Sequence, residues 1–171
     1  MKSPSERYNV VAQLFWQKAF FDSVNDLFSQ AEMVKVVDPA TEEEIRTAEQ
    51  ELGRRLPDSY KWFQQEFGNF QNAVPDIYTV RPLPEPMQNI VDITRSEQTE
   101  CFPNMPLHLI TFSDNGGGDS YCFDTSHYVG NECSIVLWNH ENNEQQTPRI
   151  VAPTFLDWLD DELNERQSFA A

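Results

Sequence analysis

The stretch from Leu109 to Asp124 constrains the fold of this chain more than any other part of it. Apolar and polar side chains alternate over Leu107–Phe112 and again over Asp119–Asp124, which is typical of half-buried β-strands. Between these segments lies Asp114–Gly118, in which an Asp and an Asn precede three glycines that tolerate positive φ angles. Two alternating segments joined by such a loop predict a β-hairpin.

The loop of this hairpin is also a candidate binding site. It is longer and richer in glycine than a hairpin requires. A backbone without Cβ atoms, flanked by Asp114 and Asp119, would let a partner approach closely. Alternatively, the glycines serve only the turn, because glycine marks turns before anything else.

The charge balance restricts the partners that such a site can have. The chain has 12 Lys and Arg against 28 Asp and Glu, which gives a formal net charge of −16. This field repels nucleic-acid phosphates and anionic membrane surfaces, so we expect neither nucleic acid nor membrane as a partner. A basic protein would instead be attracted over distance and would associate faster. Solubility alone is the other interpretation of the charge.

Length and composition predict one folded domain. A chain of 171 residues with 39% apolar and 12% aromatic residues can bury a substantial core. Its three Cys residues are odd in number and contain no CxxC pair, so no disulfide framework is indicated. No signal peptide or membrane span is recognisable, and we expect the protein to be cytoplasmic.

Helices are predicted on both sides of the hairpin. Apolar residues recur at helical spacing over Tyr8–Phe28. Thr41 is followed three residues later by Glu44, the capping-box pattern of a helix start, and Gly53 is placed to end that helix. Further helices are predicted to begin at Pro57 and stop at Gly68, to span Met87–Arg95, and to start at Pro153–Thr154.

The order of the elements predicts the fold class. Links and loops are predicted at Val34–Val37, Asn69–Pro86 and Thr125–Cys133, and strands at Ile77–Val80, Ser134–Trp138 and Arg149–Ala152. Helices followed by an antiparallel meander and a closing helix indicate an α+β domain, with an antiparallel sheet flanked by helices. The apolar side chains predicted to share one core are Leu52, Leu56, Phe63, Phe123, Trp138 and Phe155.

Three motifs along the chain resemble those of the SUKH superfamily, which includes the Smi/Knr cell-wall-assembly regulators. Glu49–Phe63 resembles the front motif, with Leu-Gly-x-x-Leu-Pro at its centre. Phe112–Asp124 resembles the second motif, a glycine turn before a strand that ends in Asp. Val136–Glu141, followed by Val151–Phe155, resembles the last strands and helix. The resemblance covers Asp38 to Leu163 and departs from the pattern after the second helix, where Gly-Asn-Phe replaces an Asn-Gly.

The resemblance implies a protein-binding α+β domain that is not an enzyme. It divides the chain into a helical N-terminal extension, residues 1–33, and a SUKH-like domain, residues 34–171. Bacterial members of the superfamily are commonly immunity proteins that neutralise a polymorphic toxin, often a nuclease, and the acidic charge suits a basic toxin. A small regulatory ligand-binding domain or a hydrolase that uses the glycine-rich loop is the alternative. The residues predicted to contact a partner are Asp114, Asn115, Gly116, Gly117, Asp119, Trp138 and Glu141.

Metal binding and catalysis have little support in the residue spacing. Cys122, His127, Cys133 and His140 include no close pair of the kind found in structural zinc sites. The EF-hand spacing is missing around the Asp residues of the loop, where Asp more often accepts backbone hydrogen bonds. Ser113 lies in no nucleophile elbow. We therefore predict no metal, no cofactor and no catalytic residue.

Overall fold

The computed structural model describes residues 35–71, 76–83, 89–142 and 145–169. The helix predicted over Tyr8–Phe28 lies outside these residues. The described elements form an α+β domain, as predicted: three helices and a small two-stranded sheet precede a four-stranded antiparallel sheet, and a last helix closes the domain.

The first helix, α1 (Glu42–Leu52), has the predicted ends. Thr41 Oγ1 accepts a hydrogen bond from the Glu44 backbone N–H at 3.2 Å, and the Thr41 N–H donates to Glu44 Oε2 at 2.8 Å. This reciprocal pair satisfies two backbone donors at the helix start. Gly53 ends the helix with a φ of 64°, in the left-handed region that favours glycine.

The second helix, α2 (Asp58–Phe67), is capped by a side chain from a distant strand. Its N-cap residue, Pro57, makes no side-chain cap. Instead, Glu132 accepts from the Ser59 N–H at 2.9 Å and from Ser59 Oγ at 2.6 Å. A carboxylate at a helix N-terminus also interacts favourably with the helix dipole. The helix is thereby joined to the sheet at its first turn.

Two more helices follow in the chain. The third, α3 (Ile90–Thr99), starts and ends later than the predicted Met87–Arg95, because Asn89 caps it by accepting from the Asp92 N–H at 2.8 Å. The fourth, α4 (Phe155–Phe169), starts after Thr154 as predicted, and Thr154 Oγ1 accepts from the Asp157 N–H at 3.2 Å. Both helices begin with a side-chain cap.

Two strands missed by the sequence prediction form a small sheet. β1 (Lys35–Val37) and β2 (Asn69–Gln71) are antiparallel, with Val36 opposite Phe70. The sequence predicts a link for the first and an irregular segment for the second, since three residues are too few to show alternation. Ile77–Val80, predicted as a strand, makes only isolated bridges with the described part of the chain, which pair Ile77 with Ser113 and Thr79 with Asn89.

The main sheet is an antiparallel meander in the order β3-β4-β5-β6. Its strands are β3 (Leu109–Asp114), β4 (Ser120–Val129), β5 (Glu132–Trp138) and β6 (Arg149–Ala152). The predicted polar connection at Thr125–Cys133 is therefore wrong, because β4 continues to Val129 and only two residues join it to β5. Ser126 and His127 are exposed there, so polar side chains are compatible with a strand.

The two faces of the main sheet carry separate apolar clusters. The larger cluster packs against the helices and includes Tyr60, Phe63, Phe112, Phe123, Ile135 and Phe155. The smaller cluster consists of Met105, Leu109, Cys122, Val136 and Trp138. The predicted single core is thus wrong for Trp138, because consecutive side chains of a strand point to opposite faces. Leu56, Phe63, Phe123 and Phe155 do share one cluster, and Leu52 packs against it.

Candidate functional site

The loop between β3 and β4, with its flanking Asp114 (residues 114–119, the glycine loop), is held by hydrogen bonds at its first residue. Asp114 Oδ1 accepts from the Gly116 N–H at 2.7 Å. Asp114 Oδ2 accepts from the Tyr78 hydroxyl at 2.7 Å. This carboxylate therefore fixes the start of the loop and links it to the segment before α3.

The middle of the glycine loop closes on itself through Asn115. Its side-chain oxygen accepts from the Gly117 N–H at 2.8 Å and from the Asp119 N–H at 3.1 Å. The Asn115 backbone N–H donates to the Asp119 carbonyl at 3.1 Å. An Asn that bonds its own downstream backbone mimics a backbone turn, which explains this residue type at this position.

The last part of the glycine loop rests on His140. Asp119 Oδ1 accepts from His140 Nδ1–H at 2.9 Å and from the His140 backbone N–H at 3.3 Å. Gly118 has a φ of 99°, and a Cβ built on it would lie 2.7 Å from His140 Cε1. Glycine is required at this position by both its backbone angle and the approach of the imidazole.

The structure brings most of the predicted partner-binding residues to one surface. Asp114, Asn115, Gly116 and Gly117 are exposed, and Asp119 is half-buried. Glu141 is also exposed and follows His140, which contacts the glycine loop.

Trp138 does not belong to this surface. Its side chain is buried, so the prediction that it contacts a partner is wrong. Its side chain is 1% exposed and packs in the smaller cluster with Met105 and Val136. It pairs with Ser120, the first residue of β4, and therefore lies beneath the end of the loop rather than beside it.

Tyr78 and His140 hold the glycine loop, and neither was among the predicted site residues. Tyr78 lies 36 residues before Asp114 in the chain, and no pattern in the sequence connects the two. From the sequence alone, His140 is named only as a candidate metal ligand. The one signal in the sequence that marked the segment around His140 as functional is the resemblance of Val136–Glu141 to a family motif.

A family comparison identifies the chain. The model of the SMI1-KNR4 cell-wall family (SUKH_5) matches residues 18–164, which is most of the sequence. The chain belongs to the SUKH superfamily. The match begins inside the predicted N-terminal extension, and the division of the chain between residues 33 and 34 stays a prediction.

A solved structure shares the fold of this SUKH protein. It is described as the crystal structure of a protein from Pseudomonas syringae pv. tomato and superposes with a TM-score of 0.57 at 17% sequence identity. The match covers 84% of this chain and 98% of that one. At this identity the likeness shows the fold alone.

A second carboxylate lies near the glycine loop of this SUKH domain. Burial, together with the nearby carboxylate of Asp114, raises the pKa of Asp76 to about 6. The backbone carbonyl of Asp76 accepts from Ser113 Oγ at 2.6 Å, which holds the residue beside the end of β3. Two acidic groups are thus kept close together where the loop begins.

We expect Asp76→Asn to stabilise the protein at neutral pH. The pKa of Asp76 is higher in the folded state than the value of about 3.9 in an unfolded chain. The free energy of unfolding should therefore fall as the pH rises from about 4 to about 6. At pH 7.5 the variant should gain about 1–2 kcal/mol, a figure that allows for partial solvent screening.

Urea denaturation at pH 7.5 and at pH 4.5 measures this effect. The gain should shrink towards zero at the lower pH, where Asp76 is mostly protonated in the folded protein. Asp161→Asn, at an exposed position of α4, is the control and should change stability by less than about 0.5 kcal/mol at both pH values. An equal gain at both pH values would show that the charge of Asp76 is not responsible.

The residues considered for metal binding or catalysis lie apart from one another. Cys122 and Cys133 belong to the clusters on opposite faces of the main sheet. Burial raises the pKa of the Cys122 thiol well above its usual range, which disfavours the nucleophilic thiolate. Among the described residues, no three His, Cys, Asp or Glu side chains form a group that could hold a metal ion. None of the described helices is long and apolar enough to span a membrane.

Proposed function

We propose that this SUKH protein is an immunity protein, which neutralises a cognate basic toxin, such as a nuclease, by binding it directly. The observation that carries the proposal is the glycine loop. Its own hydrogen bonds hold it in shape without a partner, while Gly116 and Gly117 leave its backbone exposed. A preformed binding surface costs less entropy to dock than a flexible one.

The charges around the glycine loop support a basic partner. The carboxylates of Asp114 and Asp119 accept hydrogen bonds within the loop and from His140, and Asp114 is exposed. The Glu141 side chain is exposed and makes no hydrogen bond or ion pair with the described part of the chain. It is therefore the carboxylate best placed to meet a Lys or Arg of a partner. The net charge of −16 adds long-range attraction to this local arrangement.

The binding proposal predicts that a toxin-like protein is encoded beside this gene, and the C-terminal domain of that protein is the probe. We expect association to slow as salt rises, because the Debye length shortens from about 10 Å at 0.1 M to about 3 Å at 1 M. Dissociation should change less. Glu141→Lys should weaken binding by about tenfold or more, since a reversed charge now faces the basic partner.

The matched control changes the net charge equally at the other end of β4. His127→Lys combined with Val129→Lys also adds two positive charges, and both side chains are exposed. This variant should bind nearly as tightly as the parent. Equal losses for the two variants would mean that total charge, rather than the glycine loop, governs binding. If the parent fails to bind at low salt, the ligand-binding or hydrolase alternative takes the place of this proposal.

A further inference from the structure

A cavity of about 220 Å³ opens between α1, α3 and the segment that leads away from Val80. None of the glycine-loop residues lines it. Its wall is partly apolar and includes Ala48, Val80 and Val91, each of which is otherwise buried in the larger cluster. A recess with such a wall can accept a hydrocarbon side chain.

The spacing of residues along α1 explains the recess. Glu43, Thr47 and Glu51 follow one another at intervals of four residues and so lie along one side of the helix. All three line the cavity, with the small Ala48 next to Thr47 at its centre. The small side chains of Thr47 and Ala48 leave space on the surface of α1. The carboxylates of Glu43 and Glu51 lie at the two ends of that space.

The charge of the lining has one sign. Among the residues that the structure describes, four carboxylates line the cavity, those of Glu43, Glu44, Glu51 and Asp92, and no Lys, Arg or His does. Glu44 is already engaged, because Arg81 Nε donates to its Oε1 at 3.0 Å. This pair shows, at the edge of the same cavity, that the acidic face of α1 accepts a guanidinium group.

Asp92 accepts from Asn89 Nδ2 at 2.6 Å, whereas Glu43 and Glu51 are held less firmly. Glu43 pairs with Arg46 at 3.4 Å, and their side chains are 84% and 60% exposed. Glu51 pairs with Arg95 at 3.3 Å, with both side chains about half exposed. Such exposed pairs contribute little to stability. An incoming cation can therefore replace Arg46 or Arg95 as the partner of its carboxylate at low cost.

We propose that this cavity is a recognition pocket for an arginine side chain of a protein partner. The methylene groups of the arginine would lie on Ala48, Val80 and Val91, and the guanidinium would meet the carboxylates at the rim. Arginine fits better than lysine because its planar group is weakly hydrated and forms paired hydrogen bonds to carboxylates. The proposal concerns a surface separate from the glycine loop and does not depend on the partner being a toxin.

Ethylguanidinium, which has the end of an arginine side chain, is the probe, and ethylurea is its uncharged counterpart of similar shape. In an amide NMR titration of the full chain, ethylguanidinium should cause saturable shifts at Thr47, Ala48, Val80 and Val91. Ethylurea should bind at least about fivefold more weakly, because it lacks the charge that the rim carboxylates attract.

Variants of the rim and of the recess complete the test. Glu43→Gln combined with Glu51→Gln should weaken ethylguanidinium binding by about fivefold or more. Glu42→Gln combined with Glu66→Gln removes as much charge at exposed positions outside the cavity and should leave binding unchanged. Thr47→Phe, at an exposed position, should fill the recess and abolish binding.

Shifts spread over many acidic sites, or equal losses in both double variants, would overturn the pocket proposal in favour of general charge attraction. Binding of ethylurea as tight as that of ethylguanidinium would overturn it as well. None of these outcomes depends on the toxin experiment, so failure of either proposal leaves the other open to its own test.

Discussion

Truncation of Phe123 to Ala is expected to lower the free energy of unfolding by about 3–5 kcal/mol, the usual cost of removing a buried aromatic ring. Phe123 is fully buried at the centre of the larger cluster. Its ring stacks on Phe112 at a centroid distance of 4.3 Å and meets Tyr60 edge-on at 5.1 Å. The deletion would therefore open a cavity bounded by rings from both α2 and the sheet.

Phe102→Ala is the matched control for this prediction. The substitution is the same, but the Phe102 side chain is 83% exposed. Urea denaturation should show a change of less than about 0.5 kcal/mol for the control. A loss below about 1 kcal/mol for Phe123→Ala would contradict the assignment of Phe123 to the core.

Local features of this fold could be predicted from the sequence because their causes lie within a few residues. Thr41 and Glu44 satisfy each other three residues apart, and Gly53 supplies the left-handed angle that ends α1. The β6 strand was predicted with its observed limits, Arg149–Ala152, and the hairpin was predicted from alternation on either side of the glycines. Each of these features depends on residues that lie close together in the sequence.

Contacts between distant segments escaped prediction. Glu132 caps α2 from 73 residues away, and the tightness of this contact depends on how the sheet packs on the helix. Trp138 is apolar like the residues of the larger cluster, but the register of β5 places it on the other face. Neither the partner of a half-buried carboxylate nor the face of the sheet on which a side chain lies follows from one segment alone.

The exposure of most of the candidate site residues could be predicted from the sequence, but the contacts that hold them could not. The exposed glycines and Glu141 lie where a partner could reach them, as expected. The carboxylates of Asp114 and Asp119, however, also accept hydrogen bonds that hold the loop. This agrees with the alternative interpretation, in which these residues serve the turn. Asp119 accepts through both oxygens, from His140 at Oδ1 and from Asn115 Nδ2 at Oδ2. An Asn could not accept at both positions, so charge at Asp119 cannot be removed without disturbing the loop.

The contact between Gly118 and His140 leads to the second large expected effect. We expect Gly118→Ala to lower the free energy of unfolding by about 2–3 kcal/mol. Part of this loss comes from placing an L-residue at a φ of 99°, and part from the Cβ, which would lie 2.7 Å from His140 Cε1. Gly116→Ala is the control, because its φ is 74° and no atom lies within 4 Å of the Cβ position. It should cost about 1 kcal/mol, the backbone contribution alone.

A double-mutant cycle separates the backbone cost from the collision. His140→Ala removes the imidazole and its hydrogen bond to Asp119, and this single change should cost about 1 kcal/mol. In the His140→Ala background, Gly118→Ala should lose only about as much as Gly116→Ala does in the parent. The resulting coupling energy, about 1–2 kcal/mol, would measure how rigidly the imidazole is held against the loop. Equal costs for Gly118→Ala in both backgrounds would mean that the imidazole moves aside freely. The imidazole would then add nothing to the rigidity of the glycine loop, and the preformed shape on which partner binding relies would rest on the hydrogen bonds accepted by Asp114 and Asn115.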